Sequence, residues 1–210
     1  MEVLKSYKEN IAVLVSESDH GIYDALNKGI NIATGDVVGF LHSDDIFFDK
    51  YVLEKVRIEF LDNDVDAIYG DLEYVSQNDV DKIVRYWRAG EYKSGLWRYG
   101  WMPPHPTFYM KRDCYKRFGG FSLDYPISAD YESLLRYIKH HRVNVSYIPS
   151  VMVKMRVGGA SNNSFSNLLK KYNETNKVLK CYYDFPQLIT TMKMVRKIFQ
   201  FSINSKFDKP

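Results

Sequence analysis

Two adjacent carboxylates, Asp44 and Asp45, come two residues after a continuous apolar run, Val37–Leu41. Apolar runs with β-branched residues are typical of interior parallel strands, and open α/β sheets bind ligands beyond the carboxyl ends of such strands. Carboxylate oxygens there suit Mg²⁺ or Mn²⁺ and, through the ion, a diphosphate. The alternative is a cap for the helix predicted over Asp49–Phe60. The pair therefore predicts either a metal and diphosphate site or a helix cap.

Two further acidic residues stand where predicted elements begin or end. Asp19 follows the predicted strand Ile11–Val15, and Asp130 opens a helix after a glycine-rich turn. A divalent ion can neutralise a leaving diphosphate, whereas a carboxylate can take the proton from an attacking hydroxyl. Asp45 is the candidate for holding the ion and Asp130 the candidate base. An acid in a helix's first turn also has an ordinary structural explanation, because it complements the helix dipole.

The elements that must position these carboxylates alternate between strand and helix. Strand Ile11–Val15, a helix from Ile22 and the strand ending at Asp44 form an expected βαβ unit with a right-handed crossover and a parallel sheet. The other predicted strands are Val65–Val75, Lys82–Trp87, Thr107–Met110 and Val143–Val153. The other predicted helices are Asp49–Phe60, Arg112–Phe118, one from Ser128, Ser166–Tyr182 and one after Pro186.

Composition excludes several classes of protein. With 210 residues and 45% hydrophobic content, the chain can bury a substantial core. Its 29 basic residues nearly balance 26 acidic ones, so a nucleic-acid partner is not expected. The two cysteines indicate neither a disulfide framework nor a zinc site. No signal peptide or membrane-spanning run stands out, and we expect a cytoplasmic protein.

Several motifs occur in a fixed order along the chain. They are residues 16–30 (Ser-Glu-Ser-Asp-His-Gly-Ile-Tyr-Asp-Ala-Leu-Asn-Lys-Gly-Ile), Ala33–Asp36, Phe40–Asp45, Tyr69–Asp71, Pro104–Phe108, Gly119–Phe121, Ala129–Glu132 to Arg136, and Gly158–Ser161. This ordered set closely resembles the family 2 glycosyltransferases of bacterial surface-polysaccharide synthesis, over roughly residues 1 to 165.

The resemblance implies an α/β fold of GT-A type, with a Rossmann-like mixed, largely parallel sheet flanked by helices. We expect residues 1–165 to form this catalytic domain, incomplete at its N-terminus, and residues 166–210 to form a C-terminal helical extension with a basic amphipathic tail. The family uses a nucleotide-sugar donor and Mn²⁺ or Mg²⁺, and usually inverts the anomeric carbon.

The resemblance also assigns roles to individual residues. Ser43–Asp45 looks like the DXD-type motif, with Asp45 on the metal and diphosphate and Asp44 near the donor ribose. Asp130 matches the catalytic base. The remaining implied positions are Asp19 and Asn27, which line the donor pocket, and His105, on a loop facing the donor phosphates or the acceptor. His105 could equally be an ordinary loop histidine, and His42 stands where relatives often carry an acid or Asn, which would retune metal binding.

The implied function is a non-processive glycosyltransferase, of hexosyltransferase type, that adds one sugar to a lipid-linked or saccharide acceptor at the inner face of the plasma membrane. The chain lacks the Gln-x-x-Arg-Trp motif of the processive synthases. Relatives normally begin with an apolar strand and an Asp-Gly-Gly-Ser-type loop, whereas Met1 stands where the following helix begins. The alternative is therefore a non-catalytic remnant or split subunit whose nucleotide-binding half comes from a partner.

The aromatic loop and the C-terminal helix each allow two interpretations. Trp97 and Trp101 could stack on an acceptor sugar, but we expect them to pack as a small cluster. The helix after Pro186 could dock on the catalytic domain, but its basic face favours contact with an anionic membrane surface.

Overall fold

A six-stranded sheet organises residues 2–157 and 165–203, which the computed structural model describes. The strands are β1 (Val37–Val38), β2 (Asp45–Phe47), β3 (Ala67–Val75), β4 (Ile83–Trp87), β5 (Tyr109–Lys111) and β6 (Val145–Arg156). The helices are α1 (Glu2–Ser6), α2 (Ile22–Ile32), α3 (Val52–Asp62), α4 (Arg112–Phe118), α5 (Ala129–Leu135), α6 (Phe165–Lys180) and α7 (Pro186–Ile203). Short 3₁₀ or π turns cover Lys8–Asn10, Leu96–Tyr99, His105–Thr107 and Arg136–His140.

The sheet is mixed, in the order β1-β5-β3-β6-β2, with β4 paired to the second half of β3. Within the described residues only β3 and β6 run parallel; the other paired strands are antiparallel. The expectation of a mixed α/β sheet flanked by helices is confirmed, but the expectation that it is largely parallel is wrong. The long parallel pair β3 and β6 forms the centre, and short antiparallel strands extend it on both sides.

The predicted strand Ile11–Val15 is wrong. These residues adopt no regular structure, and Val13, Leu14 and Val15 are exposed. A strand needs a neighbour to pair its backbone groups, and no strand in the described part of the chain lies beside this segment. The predicted βαβ unit consequently lacks its first strand, although its helix, α2, forms as expected.

The apolar run Val37–Leu41 occupies an edge of the sheet, not its interior. Only Val37 and Val38 pair, antiparallel to β5, and the ring of Tyr109 in β5 packs so closely over Gly39 that a side chain there would collide with it. The next paired residues begin at Asp45, in β2 at the opposite edge. The chain from Gly39 to Asp44 therefore crosses from one edge strand to the other.

The C-terminal helices pack on the sheet domain. Helix α7 contacts α6, β4 and the Leu96–Tyr99 turn, and its Ile189 is buried. This side of the helix therefore docks on the rest of the chain. The apolar residues Leu188 and Val195 stay exposed. Trp97 and Trp101 are buried in the core, which confirms that they pack.

Candidate active site

Asp44 and Asp45 lie in a tight turn at the start of β2. The Asp45 amide donates to the His42 carbonyl at 3.0 Å, and the Arg156 guanidinium, from the end of β6, donates to the Asp44 carbonyl at 3.2 Å. Neither carboxylate caps helix α3. Asp49 serves the turn before that helix, because its carboxylate accepts from the Tyr51 amide at 2.7 Å. The helix-cap interpretation of the acidic pair is therefore wrong.

The Asp45 carboxylate is buried and unpaired. Only 5% of the residue is exposed, and both carboxylate oxygens accept no hydrogen bond from the described residues. Burial and then the negative charge of Asp44 raise the pKa of Asp45 to about 7, against a smaller opposite effect of Arg156. A buried carboxylate without donors is costly unless a ligand satisfies it. Its hard oxygens suit Mg²⁺ or Mn²⁺.

Asp130 lies in the first turn of α5, where two donors contact its carboxylate. The Tyr131 amide donates to Asp130 Oδ1 at 2.8 Å, and the Tyr23 hydroxyl, from α2, donates to the same oxygen at 3.3 Å. Behind it, Glu174 of α6 accepts hydrogen bonds from the amides of Ile127 and Ser128, which fixes the start of α5. The side chain is partly exposed, so an acceptor hydroxyl could reach it.

His105 is a buried histidine between aromatic rings. Its ring stacks on Phe40 with centroids 5.7 Å apart and meets the edge of Phe121 at 5.3 Å. Burial lowers its pKa to about 4, with Asp130 acting in the opposite direction and His42 in the same direction. His105 is therefore a neutral imidazole near pH 7, able to donate or accept a hydrogen bond but not to supply a charge.

Charge interactions connect the candidates across the sheet. The charges of both Asp130 and Asp45 raise the pKa of Tyr74, which burial raises most, and His105 is influenced by both Asp130 and His42. Asp45 and Tyr74 lie in one row of the sheet, because both pair with Met155 of β6, and the ring of His105 lies 6.3 Å from the ring of His42.

The contacts of Asp19 and Asn27 are separate from this group. Asp19 accepts from the Gly21 amide at 2.9 Å just before α2. The Asn27 side chain donates to the Phe121 carbonyl at 2.8 Å and accepts from the Phe121 amide at 2.7 Å. Asn27 therefore fixes the turn whose Phe121 ring packs on His105, and it reaches the site through that turn.

The family model "Glycosyl transferase family 2" matches residues 1–121, more than half of the chain. The chain belongs to this family. In sequence it is similar to a PGL/p-HBAD biosynthesis glycosyltransferase of Mycobacterium bovis (strain BCG / Pasteur 1173P2), with 24% identity over 159 residues, 71% of this chain and 57% of the relative.

A second relative and two solved structures extend the family comparison. An uncharacterized glycosyltransferase of Mycobacterium tuberculosis (strain ATCC 25618 / H37Rv) is 31% identical over 137 residues, 63% of this chain and 50% of the relative. The chain thus spans about half the length of the curated relatives it matches. In fold it matches S. aureus TarS, with TM-score 0.58, 13% identity, and coverage of 99% of this chain and 36% of TarS.

A TarS 1-349 structure in complex with UDP-GlcNAc gives the same TM-score of 0.58 and 13% identity, with coverage of 99% of this chain and 64% of that one. The family model shows the family, and the likeness to TarS shows that the chain has the GT-A fold. Among the described residues, no helix is both long and apolar enough to cross a membrane.

Little in the sequence indicated that two residues, Tyr23 and Lys193, lie at the candidate site. Tyr23 lies on the same face of α2 as Asn27, four residues away, and that spacing was its only signal. Lys193 was visible only as part of the basic face of α7. The residues Gly158–Ser161 of the motif set, and Lys206 and Lys209 of the basic tail, lie outside the described residues.

Arg136 has a structural task beneath the site. Its guanidinium forms an ion pair with Glu132 at 2.8 Å and donates to the carbonyls of Phe118 and, at 2.6 Å, Gly120. These bonds hold the glycine turn beside Asn27.

Proposed function

We propose that this chain is a non-processive, inverting glycosyltransferase that transfers a hexosyl group from a nucleotide-sugar donor to a lipid-linked or saccharide acceptor. The observation that supports it best is the buried Asp45 carboxylate, which has no hydrogen-bond donor among the described residues and whose charge acts, together with that of Asp130, on Tyr74. A diphosphate site on one side and a base on the other are the two parts that sugar transfer from a nucleotide needs.

Asp45 would hold Mn²⁺ or Mg²⁺ together with the donor diphosphate, and Asp44 would bind near the ribose. The described residues contain no group of three acidic, histidine or cysteine side chains that could hold a metal alone, so the diphosphate and water would complete its shell. When bound, the ion supplies positive charge to the departing diphosphate.

The other side chains orient the reactants. Asp130, fixed by Tyr23 and the α6 contact, takes the proton from the acceptor hydroxyl. Neutral His105 offers a hydrogen bond to the donor phosphates or to the acceptor. Asp19 and Asn27 contribute to the donor side, Asn27 by holding the Phe121 turn. We further propose that the protein works in the cytoplasm, where its basic tail can touch the inner face of the plasma membrane.

The test is a panel of nucleotide-sugars incubated with the protein and Mn²⁺, with nucleotide release and donor binding as readouts. We expect one donor class to bind and to be slowly hydrolysed, and Asp45→Asn to abolish the Mn²⁺-dependent part of that binding. We expect Asp130→Asn to keep donor binding and lose transfer. If no nucleotide-sugar binds, or if Asp130→Asn transfers at the full rate, the proposed function is wrong.

A split subunit that needs a partner for the nucleotide-binding half is the second candidate. The exposed apolar residues Val13, Leu14 and Val15, which have no strand beside them in the described chain, favour it. Under this alternative the isolated chain fails to bind nucleotide-sugars at all concentrations and gains that binding on addition of a partner. Donor binding by the isolated chain, with the protein monomeric by light scattering, would exclude it.

A further inference from the structure

One lysine of the C-terminal helices lies beside the residue that follows Asp130, and two further lysines lie near it. Lys193 of α7 packs its ammonium 3.4 Å from the centroid of the Tyr131 ring, next to the candidate base. The backbone of Lys193 is fixed there by Gly100, where an added Cβ would come within 2.5 Å of the Lys193 backbone. Lys197 lies one turn after Lys193 on the same face of α7. Lys171 lies on α6, which packs against α7 and is joined to it by the hydrogen bond that Thr190 donates to Asn176 at 2.8 Å. The charges of the three lysines act on one another.

The positive charges in this cluster outnumber the negative ones. Burial lowers the pKa of Lys193 to about 7, Lys171 and Lys197 lower it further, and Asp130 is the carboxylate that acts in the opposite direction. The pKa of Lys197 is also lowered, by burial, by Lys171 and by Arg85. Within the described residues, none of the three lysines forms an ion pair with a carboxylate. Gathering partly desolvated like charges is unfavourable unless an anion joins them.

Lys193 lies next to Asp130 in the site, because its ammonium packs over the ring of the following residue, Tyr131. The charges that act on Lys193 include Asp130 but not Asp45, and those that act on Asp45 are Asp44 and Arg156. In the proposed reaction Asp45 serves the donor diphosphate, whereas Asp130 meets the acceptor hydroxyl. An anion bound by these lysines is therefore part of the acceptor, or a group attached to it.

We propose that Lys171, Lys193 and Lys197 form a subsite that binds a phosphate group carried by the acceptor, close to the hydroxyl that Asp130 deprotonates. The assignment of this phosphate to the acceptor rests on the proposed function. Phosphate suits neighbouring ammonium groups because it offers several charged acceptor oxygens. The phosphate can belong to a soluble phosphorylated saccharide or to a polyprenyl phosphate, which share this chemistry.

The first experiment measures phosphate binding without any donor. Inorganic phosphate, glucose 1-phosphate and a polyprenyl phosphate in detergent micelles are titrated into the full chain by calorimetry, and ¹⁵N-lysine NMR follows the ammonium groups. We expect saturable binding that Lys193→Gln and Lys171→Gln each weaken about tenfold or more, because each removes a charge-assisted hydrogen bond. The matched control is Lys170→Gln, an exposed neighbour on α6, which should leave the affinity unchanged.

Lys193→Arg keeps the charge and should retain most of the binding, which separates loss of the subsite from loss of the fold. Stronger binding of glucose 1-phosphate or of the polyprenyl phosphate identifies the source of the phosphate. The proposal is overturned if none of the three probes binds. It is also overturned if Lys193→Gln and Lys171→Gln bind as tightly as Lys170→Gln, or if Asp45→Asn abolishes binding, since the phosphate then occupies the donor side.

The second experiment separates the subsite from the proposed function. With an active donor, Lys193→Gln should raise KM for a phosphorylated acceptor about tenfold and leave donor KM unchanged. If donor KM rises instead, the subsite is wrong although the transferase activity stands. If no donor binds while the lysines still bind phosphate, the proposed function fails and the anion site remains.

Discussion

The hydroxyl of Tyr23 donates a hydrogen bond to Asp130 Oδ1 at 3.3 Å, across 107 positions of sequence. The Ile127 carbonyl lies 3.1 Å from the same hydroxyl, so the two acceptors share its one proton, and one side chain of α2 contacts both the candidate base and the turn that precedes its helix. Burial and the charge of Asp130 both raise the pKa of Tyr23, which keeps it a donor throughout the neutral range. The orientation of the base therefore depends on helix α2.

Removing this hydroxyl should impair catalysis more than donor binding. We expect Tyr23→Phe to lower kcat by up to about tenfold, because the Asp130 carboxylate loses a positioning hydrogen bond, and to cost about 1 kcal/mol of unfolding free energy. Steady-state kinetics and urea unfolding measure the two effects. The control is Tyr99→Phe on a residue that is 59% exposed, which should change neither. A Tyr23→Phe variant with unchanged kcat would contradict the positioning role.

Asp45 should make the metal-free protein less stable as the pH rises. Its folded-state pKa of about 7 lies above the ordinary value of 3.8, so between these values the folded state binds more protons than the unfolded state. The contribution of Asp45 to the free energy of unfolding therefore becomes less favourable as the pH rises through this window. In EDTA, Asp45→Asn should stabilise the protein relative to wild type by on the order of 2 kcal/mol more at pH 8 than at pH 4.

Urea unfolding at the two pH values measures this difference. Asp44→Asn removes the neighbouring negative charge, which is the second cause of the shift, and should move the window to lower pH. A difference between Asp45→Asn and wild type that is the same at both pH values would show that the Asp45 carboxylate is not destabilised by its surroundings.

His105 should remain neutral until the solution is acidic. Its folded-state pKa of about 4 lies below the ordinary value of 6.5, so the unfolded state binds more protons between these values. Stability from this residue is therefore lost as the pH falls through the window. In a histidine-labelled NMR titration we expect its ring signals to stay constant above about pH 5. His105→Gln should flatten the fall in stability, and an inflection of the ring signals near 6.5 would contradict the burial argument.

Two glycines offer a matched pair of alanine substitutions. An added Cβ at Gly120 would collide with the Asn27 amide that holds the Phe121 turn, whereas one at Gly29, inside α2, meets no atom within 4 Å. We expect Gly120→Ala to lower the unfolding free energy by about 1–3 kcal/mol, and Gly29→Ala to raise it by about 0.5–1 kcal/mol. Thermal or urea unfolding tests both. A neutral Gly120→Ala would mean that Asn27 can move away from the turn without cost.

The local sequence pattern was sufficient to predict the positions of elements with strong apolar periodicity. Helix α2 and strands β3 and β6 form close to the predicted positions, because the apolar pattern and the turn residues at their ends agree. Ile11–Val15 has the same apolar composition but no partner strand, and a strand requires a neighbour that local pattern does not specify. The parallel pairing expected for Val37–Val38 was wrong for a related reason, since pairing with β5 is a long-range event.

The candidate site was predictable only in part. The order of the motifs singled out Asp44, Asp45 and Asp130, and in the structure the charges of Asp45 and Asp130 both act on Tyr74. The basic face of α7 was visible in sequence, but its docking brings Lys193 onto Tyr131, a contact set by tertiary packing. The same holds for Tyr23, whose role depends on a residue 107 positions away.

The segment from Gly39 to Asp44 joins β1 at one edge of the sheet to β2 at the other, so a ligand held at Asp45 restrains both edges at once. Opening of the β1–β5 pair and of the β2–β6 pair would then be coupled through donor occupancy, although no hydrogen bond connects those pairs directly. Amide hydrogen exchange at Met110 and at Val153 should slow together when donor binds. Donor binding at Asp45 would thereby be detectable in the backbone of both edges of the sheet.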